Sequence, residues 1–191
     1  MGCDIHLYVE KKKKGKWVSA QGFVEDEDGN LNVPYPDRLF DDRNYNLFGF
    51  LAGVRDEENQ YFKAKGFPKD ACKEIKAIFE GWGVDAHTPS YLTLAELKKV
   101  NWKDRMIKVS GVKRKSELKK LYTTLKKEEP NYDLLYPYCG MTTASGYESF
   151  EVSLPISYLF KRFIEKVVER LHTYDWQCKE DEIRIVFWFD N

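Results

Sequence analysis

The sequence has 191 residues, of which 42% are hydrophobic and 15% aromatic, and its 31 basic side chains balance 31 acidic ones. This length and apolar content argue against a disordered chain, because enough large side chains are present to form a core. The formal net charge of zero also lacks the basic excess typical of nucleic-acid-binding proteins, so nucleic acid is not the expected partner.

The cysteines and the first residues indicate where the protein resides. The four cysteines lie far apart and form no C-x-x-C pair, which favours reduced thiols in a cytosol over a zinc site or a disulfide scaffold. His6 stands where N-myristoylation requires Ser or Thr, which argues against a lipid anchor. We therefore predict a soluble cytoplasmic protein without a membrane partner. The oligomeric state stays open, with a homo-oligomer as one alternative.

The first predicted element is a strand over residues 4–10, where apolar side chains occupy every second position. The polar turn 11–16 leads into a returning strand from Trp17, so a hairpin is predicted. Residues 22–42 contain several Gly and Pro residues and are predicted to be a long, partly irregular connection.

Three helices are predicted in the middle of the chain from their terminal residues. Asn44 is expected to cap a helix that ends near Gly53. Pro68 is well placed at a first helical position, ahead of a helical pattern over residues 70–82. A Thr-x-x-Glu capping box predicts a third, short helix over residues 93–100.

The second half of the chain contains the clearest pattern. Residues 156–172 repeat apolar side chains at i, i+3, i+4 and i+7, which predicts one long amphipathic helix. Residues 183–189 form a continuous apolar run, typical of a strand covered on both faces. Between them and the middle helices we predict a strand at 106–112, a basic helix at 116–127 and an ordered aromatic loop at 132–146.

These elements predict an α+β fold in a single domain spanning residues 1–191. The N- and C-terminal strands are expected to lie in a mainly antiparallel sheet, packed by helix 156–172 and by several shorter helices. No repeat and no Gly/Ser linker interrupts the sequence.

Local charge is uneven in the basic segment, residues 98–127, where the only acidic residues are Asp104 and Glu117. A solvated surface accounts for this pattern. Two alternatives stay open. The segment could attract a phosphate-bearing ligand, or it could bind nucleic acid without sequence preference, with an affinity that falls steeply with salt.

Two of the three histidines occur in the same tripeptide form, Asp4-Ile5-His6 and Asp85-Ala86-His87. In an extended backbone, positions i and i+2 point the same way, so each tripeptide would place a carboxylate beside an imidazole. Such a pair suits a divalent metal (Mn, Mg or Zn) or a histidine general base oriented by an acid. We predict a shared site in which His6, His87 and Asp85 are catalytic. An ordinary strand histidine and a loop cap are the alternative.

Asp190 is a further candidate for this site. If the first and last strands are antiparallel neighbours, the end of one lies opposite the beginning of the other. That pairing would bring Asp190 towards the first tripeptide. The predicted metal ligands are therefore Asp4, His6, Asp85, His87 and Asp190.

The predicted ligand contacts lie around the first helix and in residues 81–91, which are interpreted as a polar loop. Arg43 and Arg55 bracket the helix and suit bidentate binding of a phosphate or carboxylate, with salt bridges to neighbouring aspartates as the alternative. The hydroxyls of Thr88 and Ser90 are further predicted contacts. The rings of Tyr91 and of Tyr8, in the first predicted strand, could stack on a base or sugar, with the core or the cleft wall as the alternative location.

Several segments resemble a family of small proteins encoded by bacteriophages and bacterial genomes. They include the opening Met1-Gly2-Cys3-Asp4-Ile5-His6, residues 43–48, 52–55 and 82–87, and the ending Phe187-Trp188-Phe189-Asp190-Asn191. The similar segments span nearly the whole chain. The resemblance implies a bacterial or phage-infected cytoplasm, where small phage proteins destroy or sequester nucleotide signals of host defence. It assigns no catalytic residue.

The functional prediction is a phosphodiesterase-like hydrolase that acts on a small phosphorylated or nucleotide-type molecule, as a phage counter-defence factor. A metal in the site would generate hydroxide and neutralise phosphate charge. The alternative is a binding protein that sequesters a nucleotide or blocks a host protein without chemistry. It would need aromatic and arginine contacts but neither a metal nor a base.

Overall fold

The computed structural model describes residues 2–126 and 145–190. The chain groups into two compact units, the first formed by residues 1–102 and 160–191 and the second by residues 103–159. The prediction of a single domain stays a prediction. The predicted loop at 132–146 falls almost entirely outside the described residues, as does the last residue of the predicted basic helix, Lys127.

The first unit is built on a four-stranded sheet with the order β2-β1-β8-β5, in which every neighbouring pair is antiparallel. The strands are β1 (Ile5–Lys13), β2 (Lys16–Ser19), β5 (His87–Thr93) and β8 (Ile183–Phe189). A two-stranded ribbon is formed by β3 (Val24–Glu25) and β4 (Leu31–Asn32). The predicted α+β fold, with both terminal strands in an antiparallel sheet, is confirmed.

The two central strands follow from their sequence patterns. Every residue of β8 is buried, because both faces of the sheet are covered at this strand. In β1, Ile5, Leu7 and Val9 are buried while His6 and Tyr8 on the other face are half-buried. The turn to β2 uses two residues of positive φ, Lys14 and Gly15, as a tight hairpin turn requires.

The first-unit helices are α1 (Tyr45–Ala52), α2 (Lys73–Trp82) and α3 (Leu94–Lys98). Helix α1 begins at the predicted cap, where the Asn44 side chain accepts a hydrogen bond from the Leu47 N–H at 3.1 Å, and ends at Gly53 in the left-handed conformation. The Thr93–Glu96 capping box is present at α3. Helix α2 starts later than predicted, because Pro68 lies in a turn that accepts a hydrogen bond from the Ala71 N–H at 3.1 Å.

Short helical turns occupy other parts of this unit. They are the 3-10 turns Tyr35–Asp37, Gly83–Asp85 and Leu171–Tyr174, the α-helical turn α6 (Lys161–Phe163) and the π-helical turn Ile164–Val168.

The prediction of one long helix over residues 156–172 is not supported by the structure. The predicted apolar stripe is largely buried. The helix, however, is interrupted after Leu159, because Phe160 has non-helical dihedral angles, with φ −111° and ψ 19°. Farther on, the Glu169 N–H donates to the Ile164 carbonyl at 2.9 Å, a five-residue spacing typical of a π-turn. Apolar periodicity predicts which side chains are buried and does not require an unbroken hydrogen-bond ladder.

The second unit is a long antiparallel hairpin with short helices. Strand β6 (Met106–Arg114) pairs with β7 (Tyr147–Pro155) along its whole length. Helix α4 (Lys115–Thr124) follows β6, and the turn α5 (Ile156–Leu159) follows β7. Strand β6 and the basic helix are where the sequence predicts them, whereas β7 has no counterpart among the predicted elements.

Strand β5 corrects the interpretation of residues 81–91 as a loop. The sequence shows no clear strand pattern here, because the pairing with β8 is irregular between His87 and Ser90 and Thr88 has a φ of 47°. Pro89 is tolerated because β5 is an edge strand, where a missing backbone donor costs least.

None of the helices within residues 2–126 and 145–190 is long and apolar enough to cross a membrane.

A buried ion pair crosses the β1–β8 pairing. Glu10 and Arg184 are direct partners in the register, and the Arg184 Nε donates to the Glu10 carboxylate at 2.7 Å. Both side chains are almost fully buried. The other Glu10 oxygen accepts from the Cys72 N–H at 2.6 Å, and Arg184 also reaches Asp70 at 3.0 Å. The Glu10 carboxylate and the Arg184 guanidinium therefore both have hydrogen-bond partners, as charged groups buried this deeply require.

Replacing Glu10 by Gln is expected to destabilise the protein by about 3 kcal/mol, because the buried Arg184 charge loses its main partner. Urea denaturation measures the change. The matched control is Lys98→Ala, which removes the exposed Lys98–Glu180 pair and is expected to cost less than about 1 kcal/mol. Equal midpoints for the two variants would contradict the role given to the buried pair.

Candidate functional site

The candidate site lies where β1 begins and β8 ends. The register pairs Ile5 with Phe189, so Asp190 lies next to Asp4 in the neighbouring strand. The Asp190 N–H donates to the Asp4 carbonyl at 3.2 Å, and the Asp4 N–H donates to Asp190 Oδ1 at 2.7 Å. These two hydrogen bonds, at the end of the β1–β8 pairing, thus hold the Asp190 carboxylate in one orientation.

The second oxygen of Asp190 faces the imidazole of His6. The His6 Nε2 lies 3.1 Å from Asp190 Oδ2, and the two side chains are 21% and 19% exposed. Because an ionised carboxylate only accepts, a neutral His6 in this contact carries its proton on Nε2 and keeps the lone pair on Nδ1. This is the arrangement of a histidine base held by an acid.

Aromatic rings fix the His6 imidazole from its sides. The Trp82 ring lies 4.1 Å from the imidazole centroid, and the Trp188 ring lies at 6.0 Å. Tyr8 stacks on the same Trp188 at 5.0 Å. These contacts leave His6 little freedom to rotate, so its position is set by packing as well as by Asp190.

Arg43 binds Asp4 through two parallel hydrogen bonds. The Arg43 Nε and Nη2 donate to Asp4 Oδ1 and Oδ2 at 2.8 Å and 2.6 Å. The hydrogen bonds from Arg43 lower the pKa of the Asp4 carboxyl below its usual value. Arg43 was predicted to bind a ligand phosphate; in the structure its two-pronged donor set is used by Asp4 instead.

A cavity of about 440 Å³ opens beside His6. Its volume is within the range of small-molecule sites. The lining residues come from β1, the connection between β4 and α1, the end of α2 and the end of β8: Asp4, Ile5, His6, Leu7, Tyr8, Asn32, Val33, Arg38, Phe40, Asp41, Trp82 and Asp190.

Arg38 is the cationic side chain of this lining. Its Nε donates to the Val33 carbonyl at 3.3 Å, and its guanidinium lies over the Tyr35 ring at 5.7 Å. It has no carboxylate partner within residues 2–126 and 145–190. Arg38 is therefore available to an anion in a way that Arg43 is not.

Tyr8 supplies a neutral phenol to the same lining. Burial raises the pKa of Tyr8 to about 12, and the nearby Arg38 charge opposes that rise. At neutral pH the hydroxyl is thus a hydrogen-bond donor and carries no charge. Tyr8 lines the cavity, and its ring also packs on the core residue Trp188; its predicted contact with a ligand stays a prediction.

His87 lies at the same end of the sheet but on the opposite face from His6. His6 pairs with Trp188, whereas His87 pairs with Phe189, and adjacent strand residues point to opposite faces. The His87 Nε2 lies 3.3 Å from the Asp190 carbonyl oxygen, and its Nδ1 lies 3.0 Å from Thr88 Oγ1. Both imidazoles therefore contact Asp190, but they do not face a common cavity.

Asp85 does not form the predicted pair with His87 in an extended tripeptide. It belongs to the exposed 3-10 turn at the end of α2, so the alternation of a strand does not apply to it. It is also outside the cavity lining. The structure thus brings together Asp4, His6 and Asp190 and leaves Asp85 apart.

The remaining predicted ligand contacts have structural partners. Ser90 is fully buried and accepts a hydrogen bond from the Lys65 N–H at 3.2 Å. Tyr91 packs under the Lys65 ammonium and beside the Arg184 guanidinium, at 4.6 Å and 5.2 Å from its ring centroid. The Arg55 guanidinium hydrogen-bonds the Cys3 thiol, whose pKa is raised by burial.

The described residues contain no group of three or more His, Cys, Asp or Glu side chains arranged to hold a metal ion. Both oxygens of Asp4 face Arg43, and His6 and Asp190 face each other. A divalent ion would have to displace these partners to bind. The predicted Mn, Mg or Zn site stays a prediction.

Two charged residues of the cavity lining were not predicted from the sequence. Arg38 and Asp41 lie in the irregular connection after β4, and neither belongs to a motif. The chemistry of their side chains was visible, but a connection without periodicity gives no register from which to place them.

Part of the basic segment 98–127 is neutralised by acidic residues. Lys108 pairs with Glu151 and Lys115 with Glu148 across the second-unit hairpin, at 3.3 Å and 3.0 Å. Lys98 pairs with Glu180 in the first unit. These exposed pairs are what a solvated surface would show, which is one of the three interpretations of the basic segment.

Comparison of the chain with protein-family models, with curated proteins and with solved structures gives no match.

The Asp4–Arg43 pair is expected to show in the titration of Asp4. Its carboxyl pKa, followed by carbon-detected NMR, should lie below 3.8 in the wild type and return towards that value in Arg43→Gln. Because the folded pKa is the lowered one, the pair stabilises the protein at neutral pH. That stabilisation disappears as the pH falls through the folded pKa. An unchanged Asp4 pKa in the variant would contradict the assignment, and Arg162→Gln, which affects only the pair with Asp42, is the control.

Proposed function

We propose that this protein is a hydrolase of small phosphate esters, with phosphodiesters as the favoured class, and that the 440 Å³ cavity beside His6 is its active site. The observation that carries the proposal is the His6–Asp190 contact at 3.1 Å on the wall of a cavity that also contains Arg38. A base and an anion-binding group in one small cavity are the minimum that such a reaction needs.

In the proposed reaction, His6 acts as the general base. With its proton on Nε2 held by Asp190, the imidazole accepts a proton from water at Nδ1 while the water oxygen attacks phosphorus. The bond from phosphorus to the leaving oxygen breaks, and the proton taken up by His6 passes to that oxygen. Asp190 orients the ring and stabilises the imidazolium that forms in between.

Arg38 would bind the phosphate oxygens and stabilise the charge that accumulates on them. Among the described residues the lining contains no Ser, Thr, Cys or Lys, and with His6 assigned as the base the proposed nucleophile is water. Tyr8 can donate a further hydrogen bond, because it stays neutral at the working pH.

The charges of the lining favour a diester over a monoester. Asp4 is neutralised by Arg43, whereas a neutral His6 only hydrogen-bonds Asp190 and leaves its negative charge on the cavity wall. Asp41 stays without an ion-pair partner in the described part of the chain and opposes the charge of Arg38. A phosphodiester carries one negative charge and a monoester close to two, so the monoester meets the greater repulsion.

The rival function is a protein that binds the same ligand without chemistry. The contact of Trp82 with the His6 ring favours this binding function, because the two packed rings also offer a surface on which a ring of the ligand can stack. The two functions differ in a single measurement, namely whether the bound ligand is recovered intact.

His6→Gln is expected to lower kcat for bis(p-nitrophenyl) phosphate by about 10²–10⁴-fold, since glutamine keeps a hydrogen bond to Asp190 but cannot act as a base. Arg38→Met should raise KM and lower kcat, because it removes the anion-binding group. His172→Gln changes an exposed histidine of the same unit and should leave both constants unchanged. Assays contain EDTA or added Mn²⁺, Mg²⁺ or Zn²⁺, which tests the metal prediction at the same time. Full activity in His6→Gln would refute the proposal, and binding with intact recovery of cyclic and linear nucleotides would establish the rival.

Wild-type protein is expected to cleave bis(p-nitrophenyl) phosphate with a higher kcat/KM than p-nitrophenyl phosphate. Asp41→Asn should raise kcat/KM for the monoester and so narrow this difference, because it removes an opposing carboxylate. Asp181→Asn, at an exposed position outside the cavity, is the control. If Asp41→Asn leaves the ratio of the two kcat/KM values unchanged, the charge argument is contradicted, and the role of His6 is not affected.

A further inference from the structure

A second cavity of about 510 Å³ adjoins the candidate active site. Trp82 and Asn32 line both cavities, so the two share a wall. The second cavity lies between the β3–β4 ribbon and the last turns of α2.

The two cavities differ in charge. The first is lined by Arg38, His6 and three aspartates, whereas among the described residues Glu25 is the only charged one that lines the second. Leu31, Ala77 and Ile78 give the second cavity an aliphatic wall, which Trp82 completes with an aromatic surface. A phosphate would be repelled by Glu25 and would find no cation in the described part of this lining, so an anion suits the first cavity and an uncharged ring the second.

The polar groups of the second cavity are carboxamides with a fixed orientation. The Asp26 carboxylate accepts from the side-chain amides of Asn30 and Asn32 at 3.3 Å and 3.2 Å. It also accepts from the Asn30 N–H at 2.8 Å, which orders the turn. Because the NH₂ groups face Asp26, the Oδ1 atoms of both asparagines are left without a partner in the described residues and can accept hydrogen bonds. Carboxamide acceptors beside a flat apolar wall suit a heterocycle that carries an amino group.

We propose that the second cavity is a nucleobase subsite, so that the substrates of the active site are nucleoside phosphodiesters bound across Trp82. This inference rests on the proposed function for the place of the phosphate. The phosphate lies towards Arg38 and His6, the sugar passes Trp82, and an amino-bearing base such as adenine enters the cavity formed with α2. Trp82 and Asn32 then act as specificity-determining residues, since they line both halves of the site.

Gly81 provides the test. A Cβ added at Gly81 would meet no atom within 4 Å, and its backbone φ is not positive, so a larger side chain can be accommodated without strain. Gly81→Leu is therefore expected to occupy the second cavity and leave the first unchanged. The neighbouring Glu80→Leu is the matched control, because Glu80 is on the same helix but does not line the cavity.

Dissociation constants are measured by NMR titration with adenosine 3′,5′-cyclic phosphorothioate, in which sulfur slows hydrolysis, and with dimethyl phosphate. The wild type should bind the nucleotide about tenfold or more tightly than dimethyl phosphate, the gain expected from stacking one base. Gly81→Leu should weaken nucleotide binding about tenfold and change dimethyl phosphate binding less than twofold, whereas Arg38→Met should weaken both. Glu80→Leu should match the wild type.

Equal affinity of the wild type for the two probes, no binding of the nucleotide, or identical behaviour of Gly81→Leu and Glu80→Leu would each overturn the subsite. These outcomes are separable from failure of the proposed function. His6-dependent cleavage of bis(p-nitrophenyl) phosphate without a selective effect of Gly81→Leu removes the subsite alone. A selective loss of nucleotide binding in Gly81→Leu, with no turnover of any ester, supports the subsite and refutes the hydrolase.

Discussion

The buried ion pair between Glu10 and Arg184 is matched to one register of β1 against β8, and the geometry of the candidate site depends on that register. The two residues are direct partners across the strands, and both are almost fully buried. A slip of one residue would separate the two charges in the core and turn every side chain of β1 to the other face of the sheet. The ion pair thus selects one register, and the same register brings Asp190, six residues after Arg184, beside Asp4 and His6. The same strand register thus places the buried ion pair towards one end of the strand pair and the His6–Asp190 contact at the other.

The two faces of this sheet have different chemistry because of strand alternation. The face of Ile5 and Leu7 packs into the apolar core, while the face of His6 and Tyr8 meets the aromatic cluster around Trp188. Trp188 is fully buried, and its indole N–H has no hydrogen-bond partner in the described residues. His6 therefore stands at the border between a packed aromatic cluster and an open cavity. Packing on one side immobilises the ring, and the cavity on the other gives a ligand access to it. His87 is on the face of Phe189, which is why two histidines that both contact Asp190 do not form one site.

Much of the fold could be predicted from local patterns, since strands β1 and β8 and the caps at Asn44 and Thr93 are specified by residues close to each other in sequence. The juxtaposition of Asp190 with His6 followed from one assumption about strand pairing. The exceptions have physical causes. Strand β5 begins with a bulge and a proline, which remove its alternation, and residues 156–172 keep helical burial while their hydrogen bonds change spacing. Arg38 could not be placed, because a connection without regular structure carries no periodic signal for which cavity its side chains reach.

The use of two arginines explains why the site is organised as it is. Arg43 binds Asp4 bidentately, and the Asp4 backbone N–H in turn holds Oδ1 of Asp190, so the other oxygen of Asp190 is left for His6. If Arg43 were free to bind substrate, the Asp4 carboxylate would stand uncompensated on the cavity wall and would repel the phosphate. Its pairing removes that repulsion, and the proposed anion-binding group is Arg38, whose guanidinium faces no carboxylate partner in the described chain. One arginine thus neutralises Asp4, whose backbone N–H holds the acid that orients His6, and the other is the arginine proposed to contact the ligand. A sequence in which both look equivalent cannot separate these roles, because the difference depends only on which of them the β1–β8 end approaches.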